Sequence, residues 1–245
     1  MEMSYKRVVI SEFGGPEVLK VVEEQELPEP QPGEVRVKVL ATSAAFTDIM
    51  VRKGEYPDVK EKPPFSPGYD MVGVVDKLGA GAASLQIGQM VAELTVWGAY
   101  SEYICLPESR LVPVPAGLDP AEAVSLVLSY VTAYQMLHRS TKIKQGQRIL
   151  VHGAGGAVGT ALLQLGKLLD LEMYGTASKG KHALISSLGA TPIDYRTEDF
   201  VERIRRLSPG GVDAVFDPIS GENFKRSFSV LKPGGVLAAY GFYNA

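Results

Sequence analysis

The sequence predicts an α/β protein in which a β-rich stretch, residues 1–120, precedes a parallel sheet with helices on both faces. Three observations carry that expectation. Short β-rich runs cut by Gly and Pro fill the first half; strand and helix patterns alternate beyond residue 120; and an apolar strand runs into a glycine cluster at residues 152–159 that opens a helix.

In the first half the runs are RVVI, EVLKVVE, EVRVKVLATS, MVGVVDKLG, QMVAEL, YSEYICLP and RLVPVP, spaced as in a barrel or sandwich. Gly14, Gly15 and Pro16 mark the first turn, and Pro28 to Gly33 the next. At Asp119-Pro120 the texture changes: a capping-type Asp and a proline at the first helical position open AEAVSLVLSYVTAYQMLHR. Five strand-like segments then alternate with helices, RILVHG, EMYGTAS, TPIDYR, VDAVFDPI and GGVLAAYGF, where a complete dinucleotide-binding sheet has six. A length of 245 residues suits two domains, 1–120 and 121–245.

Composition excludes several classes of function. Apolar residues make up 45% and charged residues 22%, enough to bury a core. The formal net charge of −3, with scattered Lys and Arg, offers no general attraction to nucleic acid or anionic lipid. Cys105 is the only cysteine, which rules out an internal disulfide and any zinc site needing two thiolates, and it reads as a buried core thiol. The N-terminus does not read as a signal peptide, and no apolar run approaches a membrane span, so a cytoplasmic protein is expected.

Residues 148–160, RILVHGAGGAVGT, carry the chemistry. Glycines stand at Gly153, Gly156 and Gly159, with Ala154 at the first position of the strict G-x-G-x-x-G pattern. Glycine lets the backbone approach a pyrophosphate, and the helix N-terminus presents free amides and the positive dipole end to it. Glycines also cluster at ordinary strand-to-helix turns; the flanking strand, helix and second strand make this a Rossmann-type dinucleotide site. An acid at the end of the second strand would bind the adenosine ribose and repel a 2′-phosphate. That strand ends instead at Ala177-Ser178, followed by Lys179, Gly180, Lys181 and His182, so NADPH is favoured over NADH. The alternative is that Lys179 and Lys181 only solvate a loop.

With these residues in hand, the chain resembles the medium-chain dehydrogenase/reductase superfamily, in its zinc-independent quinone oxidoreductase branch, near the group typified by vesicle amine transport protein 1. The matching stretches are FGGPEVLKV, AFTDIMVRKGEYP, PFSPGYDMVGVV, YVTAYQML, LVHGAGGAVG, YGTASKGKH, PIDYRTEDF and LKPGGVLAAYG. The resemblance implies a GroES-like β-rich domain ahead of the Rossmann domain. It also implies a sixth strand and a return segment, which a sequence ending at Asn244-Ala245 would lack, and a homodimer for a full-length form. Ala45 stands where zinc-dependent relatives have the first Cys ligand, Tyr69 where their His would be, and the segment around Tyr130 where a further Cys would fall, so no metal is expected.

The resemblance further implies that Gly153, Gly156, Ala157, Val158 and Gly159 cradle the pyrophosphate. Ser178, Lys181 and Tyr195 would face the 2′-phosphate and adenosine, Thr132 the nicotinamide end, and Gly241 and Phe242 would line the cofactor cleft. Ala45 departs from the Asn usual in quinone oxidoreductases, whereas Phe46 and Asp48 keep their places. Hydride transfer needs positioning more than an obligatory acid, but Tyr56 and Tyr130 could each donate a hydrogen bond to a developing enolate or hydroquinone oxygen. Tyr130, on an apolar helix, also fits a core position, Tyr69 could fill the volume of the missing metal, His138 flanks a helix end, and His152 reads as a strand residue. The expected activity is NADPH-dependent hydride transfer to a quinone or an α,β-unsaturated carbonyl. The alternatives are an enoyl-thioester reductase working with a carrier protein, and an NADPH-binding protein without turnover.

Overall fold

In the computed structural model, which describes residues 4–241, the chain divides into two compact units, Met1–Leu128 and Ser129–Ala245. Phe242 lies outside the described residues.

The first unit opens with an antiparallel hairpin, β1 (Tyr5–Ile10) and β2 (Leu19–Glu24), around the Gly14-Gly15-Pro16 turn. The strands β3 (Glu34–Ala41), β4 (Met71–Leu78), β5 (Met90–Glu93), β6 (Tyr103–Pro107) and β7 (Val112–Pro113) form an antiparallel sheet in the order β6-β3-β4-β5-β7. Each expected β-rich run is thus a strand. Val35, Val37, Met71, Val75, Val91 and Leu106 share one buried cluster. Arg36, although buried, is paired with Asp76 at 2.5 Å, which offsets the cost of burying its charge. Cys105 differs from expectation: it is half-buried on β6, with its thiol 3.5 Å from the Pro28 carbonyl, because β6 lies at the sheet edge.

One element was not expected, the helix α1 (Phe46–Lys53). Phe46 and Ile49 are exposed, so it lacks the continuous apolar stripe that announces a helix. Local bonding holds it instead: the Asp48 carboxylate accepts the Ala45 amide at 2.8 Å, and Gly54, in the left-handed region at φ 73°, ends the last turn.

Helix α2 (Pro120–Gln135) contains the break between the units and continues into a π-helical turn at Met136–Ser140 that includes His138. In the second unit β8 (Arg148–Val151), β9 (Glu172–Ala177), β10 (Ala190–Asp194), β11 (Val212–Asp217) and β12 (Leu231–Ala239) form a parallel sheet in the order β10-β9-β8-β11-β12. The helices α3 (Ala157–Leu168), α4 (His182–Ser187), α5 (Phe200–Leu207) and α6 (Glu222–Phe228) alternate with these strands. Along β8, Ile149 and Val151 enter one buried cluster with Leu162, Leu163 and Phe216, and Leu150 enters another with Tyr174, Phe200 and Ile204, so both faces of the sheet are covered. From β8 the chain builds outward through β9 to β10, then returns to the other side of β8 with β11. The topological switch point, where open α/β sheets bind ligands, therefore lies at the carboxyl ends of β8 and β11.

His152 leaves β8 at that point and is 2% exposed. Its Nδ1 lies 3.0 Å from Thr176 Oγ1 and its Nε2 3.0 Å from Ser227 Oγ, and Ser227 donates to Asp217 Oδ2 at 2.7 Å. Because the Ser227 proton goes to the carboxylate, Ser227 must accept from Nε2–H, which leaves Nδ1 to accept from Thr176. The neutral ring is therefore the form that satisfies every partner. Burial pushes its pKa down to about 4, with the Asp217 charge opposing the shift. Below the ordinary histidine value of about 6.5 the unfolded chain takes up a proton that the folded one refuses, so stability falls as pH drops from about 7 toward 4. Replacing His152→Gln should flatten this dependence: across urea melts from pH 7 to 4.5, the variant should lose about 2 kcal/mol less than the native chain. Equal losses would show that His152 is not the source.

Candidate functional site

The glycine turn follows β8. Gly153 has φ 62°, a left-handed conformation costly for residues with a side chain. A Cβ at Gly159 would come within 2.4 Å of the Gly153 carbonyl and 2.7 Å of Ala154 Cα, so the helix start can press against the turn only without one. Gly156 caps α3, and the amides of Ala157, Val158 and Gly159 in the first turn have no carbonyl within the helix to take them. They form a ready anion site. This cradle of bare backbone and unpaired amides fits a dinucleotide pyrophosphate.

The cationic residues expected beside it are brought near in part. The stem of Lys181 runs over the turn, with its Cβ and Cγ 3.0 Å from where a Cβ on Gly155 would sit, and both Lys179 and Lys181 are exposed. Ser178 follows β9, and its carbonyl accepts the Lys181 amide at 2.9 Å. Tyr195 follows β10, 56% exposed, with the Arg196 guanidinium 5.7 Å from its ring centre. Arg196 escaped the sequence reading although it follows Tyr195 directly. The neighbouring acid, Asp194, is buried and accepts the Arg196 amide at 3.0 Å. A Cβ on Gly241 would meet the Pro218 carbonyl oxygen at 2.6 Å, which explains a glycine there. Thr132 is half-buried on α2, and Tyr130 donates its hydroxyl to Gln164 while its ring packs on the core.

In the first unit a second cluster surrounds the predicted Tyr56. Its hydroxyl lies 2.7 Å from that of Tyr69, with the rings edge to face. Burial, helped by the Tyr56 hydroxyl, raises the Tyr69 pKa above the usual phenol range and keeps it protonated. Asp48 accepts from the Ala45 amide, the Gly68 amide at 3.2 Å and the Tyr100 hydroxyl at 3.1 Å. Asp70, 1% exposed, accepts from the Ser43 amide and hydroxyl, each at 2.9 Å. Burial raises the pKa of both carboxyls, and these hydrogen bonds oppose it. The donor set does not fit zinc: a protonated phenol stands at Tyr69, and both carboxylates are taken up by amides and hydroxyls. Among the described residues, no group of three or more His, Cys, Asp or Glu could hold a metal ion. A separate open pocket of about 520 Å³ lies along β1, the end of β3 and residues 99–102, and contains none of the predicted site residues. Among the described residues, no helix is long and apolar enough to cross a membrane.

Comparisons with known proteins agree with this architecture. The family model for the alcohol dehydrogenase GroES-like domain matches residues 31–116, and that for zinc-binding dehydrogenase matches residues 157–245. The synaptic vesicle membrane protein VAT-1 homolog of Danio rerio is 37% identical over 98% of this chain, and the match spans 50% of that protein. The chain thus spans about half the length of that relative. The quinone oxidoreductase structure of Pseudomonas syringae superposes with a TM-score of 0.91 and 33% identity, covering 97% of this chain and 73% of that one. The CurK enoyl reductase structure superposes with a TM-score of 0.88 and 28% identity, covering 98% and 76%. The chain belongs to the medium-chain dehydrogenase/reductase superfamily, in its quinone oxidoreductase branch.

Proposed function

We propose that this chain is a zinc-independent, NADPH-dependent reductase that delivers hydride to a quinone or to the β-carbon of an α,β-unsaturated carbonyl. The observation that carries this reading is the glycine cradle at the β8–β11 switch point, followed by a second strand that ends without an acid and beside Lys181. Similarity to quinone oxidoreductases supports the acceptor class.

In this reading the amides of Ala157, Val158 and Gly159 hold the pyrophosphate. Ser178, Lys179 and Lys181 take the 2′-phosphate, with Tyr195 and, added from the structure, Arg196. Thr132 and Gly241 serve the nicotinamide half. When bound, NADPH supplies the hydride. Tyr56 donates a hydrogen bond to the acceptor oxygen that gains negative charge, and Tyr69, kept protonated, orients the Tyr56 hydroxyl. This reading gives Tyr130 no part in the step, since its hydroxyl donates to Gln164. Ala45, lacking the usual amide, leaves recognition of the acceptor to these hydroxyls.

A second reading, an enoyl-thioester reductase working with a carrier protein, draws support from the similarity to CurK enoyl reductase. Assays of NADPH oxidation against quinones, simple enones and enoyl thioesters separate the two. Tight NADPH binding with no acceptor turned over would overturn both and leave a binding protein.

Two variants test the residues. Lys181→Ala should weaken NADPH binding about tenfold in a fluorescence titration while leaving NADH binding unchanged. A native chain that binds NADH as tightly as NADPH would overturn the phosphate assignment. Tyr56→Phe should lower kcat on the preferred acceptor about a hundredfold without changing the NADPH Kd, and an unchanged kcat would remove Tyr56 from the chemistry.

A further inference from the structure

We propose that Asp48 is a positioning residue for the reduction: through Gly68 it fixes Tyr69, and through the Tyr69 hydroxyl it directs the hydroxyl of Tyr56. The inference rests on the role given to Tyr56 above.

The two carboxylate oxygens of Asp48 face different parts of the first unit. Oδ2 accepts the Ala45 amide at 2.8 Å and the Tyr100 hydroxyl at 3.1 Å, which holds it at the start of α1. Oδ1 accepts the Gly68 amide at 3.2 Å, across to the segment that carries Tyr69. Helix α1 ends at Lys53, and Tyr56 follows it closely in the chain. The same two segments meet again where the Tyr56 and Tyr69 hydroxyls lie 2.7 Å apart. Asp48 thus makes one cross-link between them, and the hydroxyl pair makes another.

Two features set Asp48 apart from an ordinary helix cap. Its residue is 9% exposed and bound to two amides and a phenol, and among the described residues no cation pairs with it; the charge that acts on it is that of another acid, Asp70. A cap works as well at the surface, whereas an unpaired carboxylate is costly to bury. The backbone around Tyr69 is also held from the opposite side. The Gly68 carbonyl accepts from Thr95 Oγ1 at 2.9 Å, and the Tyr69 carbonyl accepts the Val96 amide at 3.0 Å. Val96 sits at φ 69°, a conformation strained for a β-branched residue, and such strain gathers where a site holds a group in place.

An amide at this position cannot keep both ends of the clamp. All three partners donate, so the NH2 group of an asparagine would oppose one donor at Oδ1 and two at Oδ2. The first costs less. Asp48→Asn therefore opens the cross-link to Gly68 and keeps the start of α1.

The test is a cycle of Asp48→Asn and Tyr56→Phe, singly and together. In the native background Asp48→Asn should lower kcat on the preferred acceptor about tenfold and leave the NADPH Kd unchanged. In the Tyr56→Phe background it should lower kcat by less than about twofold, because the hydroxyl it directs is gone. A merely structural role would lower both backgrounds alike. Without ligand, tyrosine labelled with carbon-13 at Cζ reports the hydroxyl pair by NMR: Asp48→Asn should move the Tyr56 and Tyr69 signals and leave that of Tyr174, in the second unit, in place. If Asp48→Asn does not fold, Tyr100→Phe takes its place in the cycle; it removes one donor to Oδ2, keeps the carboxylate, and should show the same pattern with a loss of about threefold. Equal losses in both backgrounds, an unchanged kcat, or an unmoved pair of signals would overturn the proposal. A native chain that turns over no acceptor, or an unchanged kcat for Tyr56→Phe itself, would overturn the role of Tyr56 and this inference together; a lowered kcat for Tyr56→Phe with equal losses in the cycle would overturn this inference alone.

Discussion

The second unit depends on one steric constraint, the absence of side chains where α3 meets the sheet. A Cβ at Gly159 would strike the Gly153 carbonyl at 2.4 Å, one at Gly175 would strike Ala154 Cβ at 2.7 Å, and one at Gly166 would strike Met173 Sδ at 2.6 Å. Two of these glycines lie on the helix, and the one on β9 makes room for Ala154 in the turn that precedes it. The helix is held low over the central strands, and its unpaired amides face the carboxyl end of β8. Chain entropy lost at each glycine is the cost, on the order of 0.5–1 kcal/mol per position relative to alanine. Packing of Leu162 and Leu163, both fully buried, offsets it.

Much of this was legible in the residues. Largely buried parallel strands such as β8 and β9 read as apolar runs, and half-covered antiparallel strands are punctuated by Gly and Pro, so the twelve strands among the described residues each have a counterpart among the expected runs. Helix α1 was not legible, since a carboxylate cap and a terminal glycine hold it rather than an apolar face. The glycine cradle and Lys181 could be read because their chemistry is local in sequence. Arg196 has a local signal as well, beside Tyr195, but its place near the end of β9 appears only when β10 is seen paired with β9. The hold of Asp48 on Gly68 has no sequence signature, because partners and backbone angles are properties of the folded chain.

In the first unit Tyr69 lies against Tyr56, and Asp48 and Asp70 are surrounded by amides and hydroxyls. A protonated Tyr69 phenol and hydrogen-bonded carboxyls need no cation to remain buried.

The chain of hydrogen bonds from Thr176 through His152 and Ser227 to Asp217 runs in one direction only, and it joins β9, the end of β8, α6 and β11. Each member fixes the role of the next, so a change at one position leaves a neighbour facing the wrong kind of atom. A polar rivet of this kind ties two strands and a helix by direction as well as by contact, which apolar packing alone does not do.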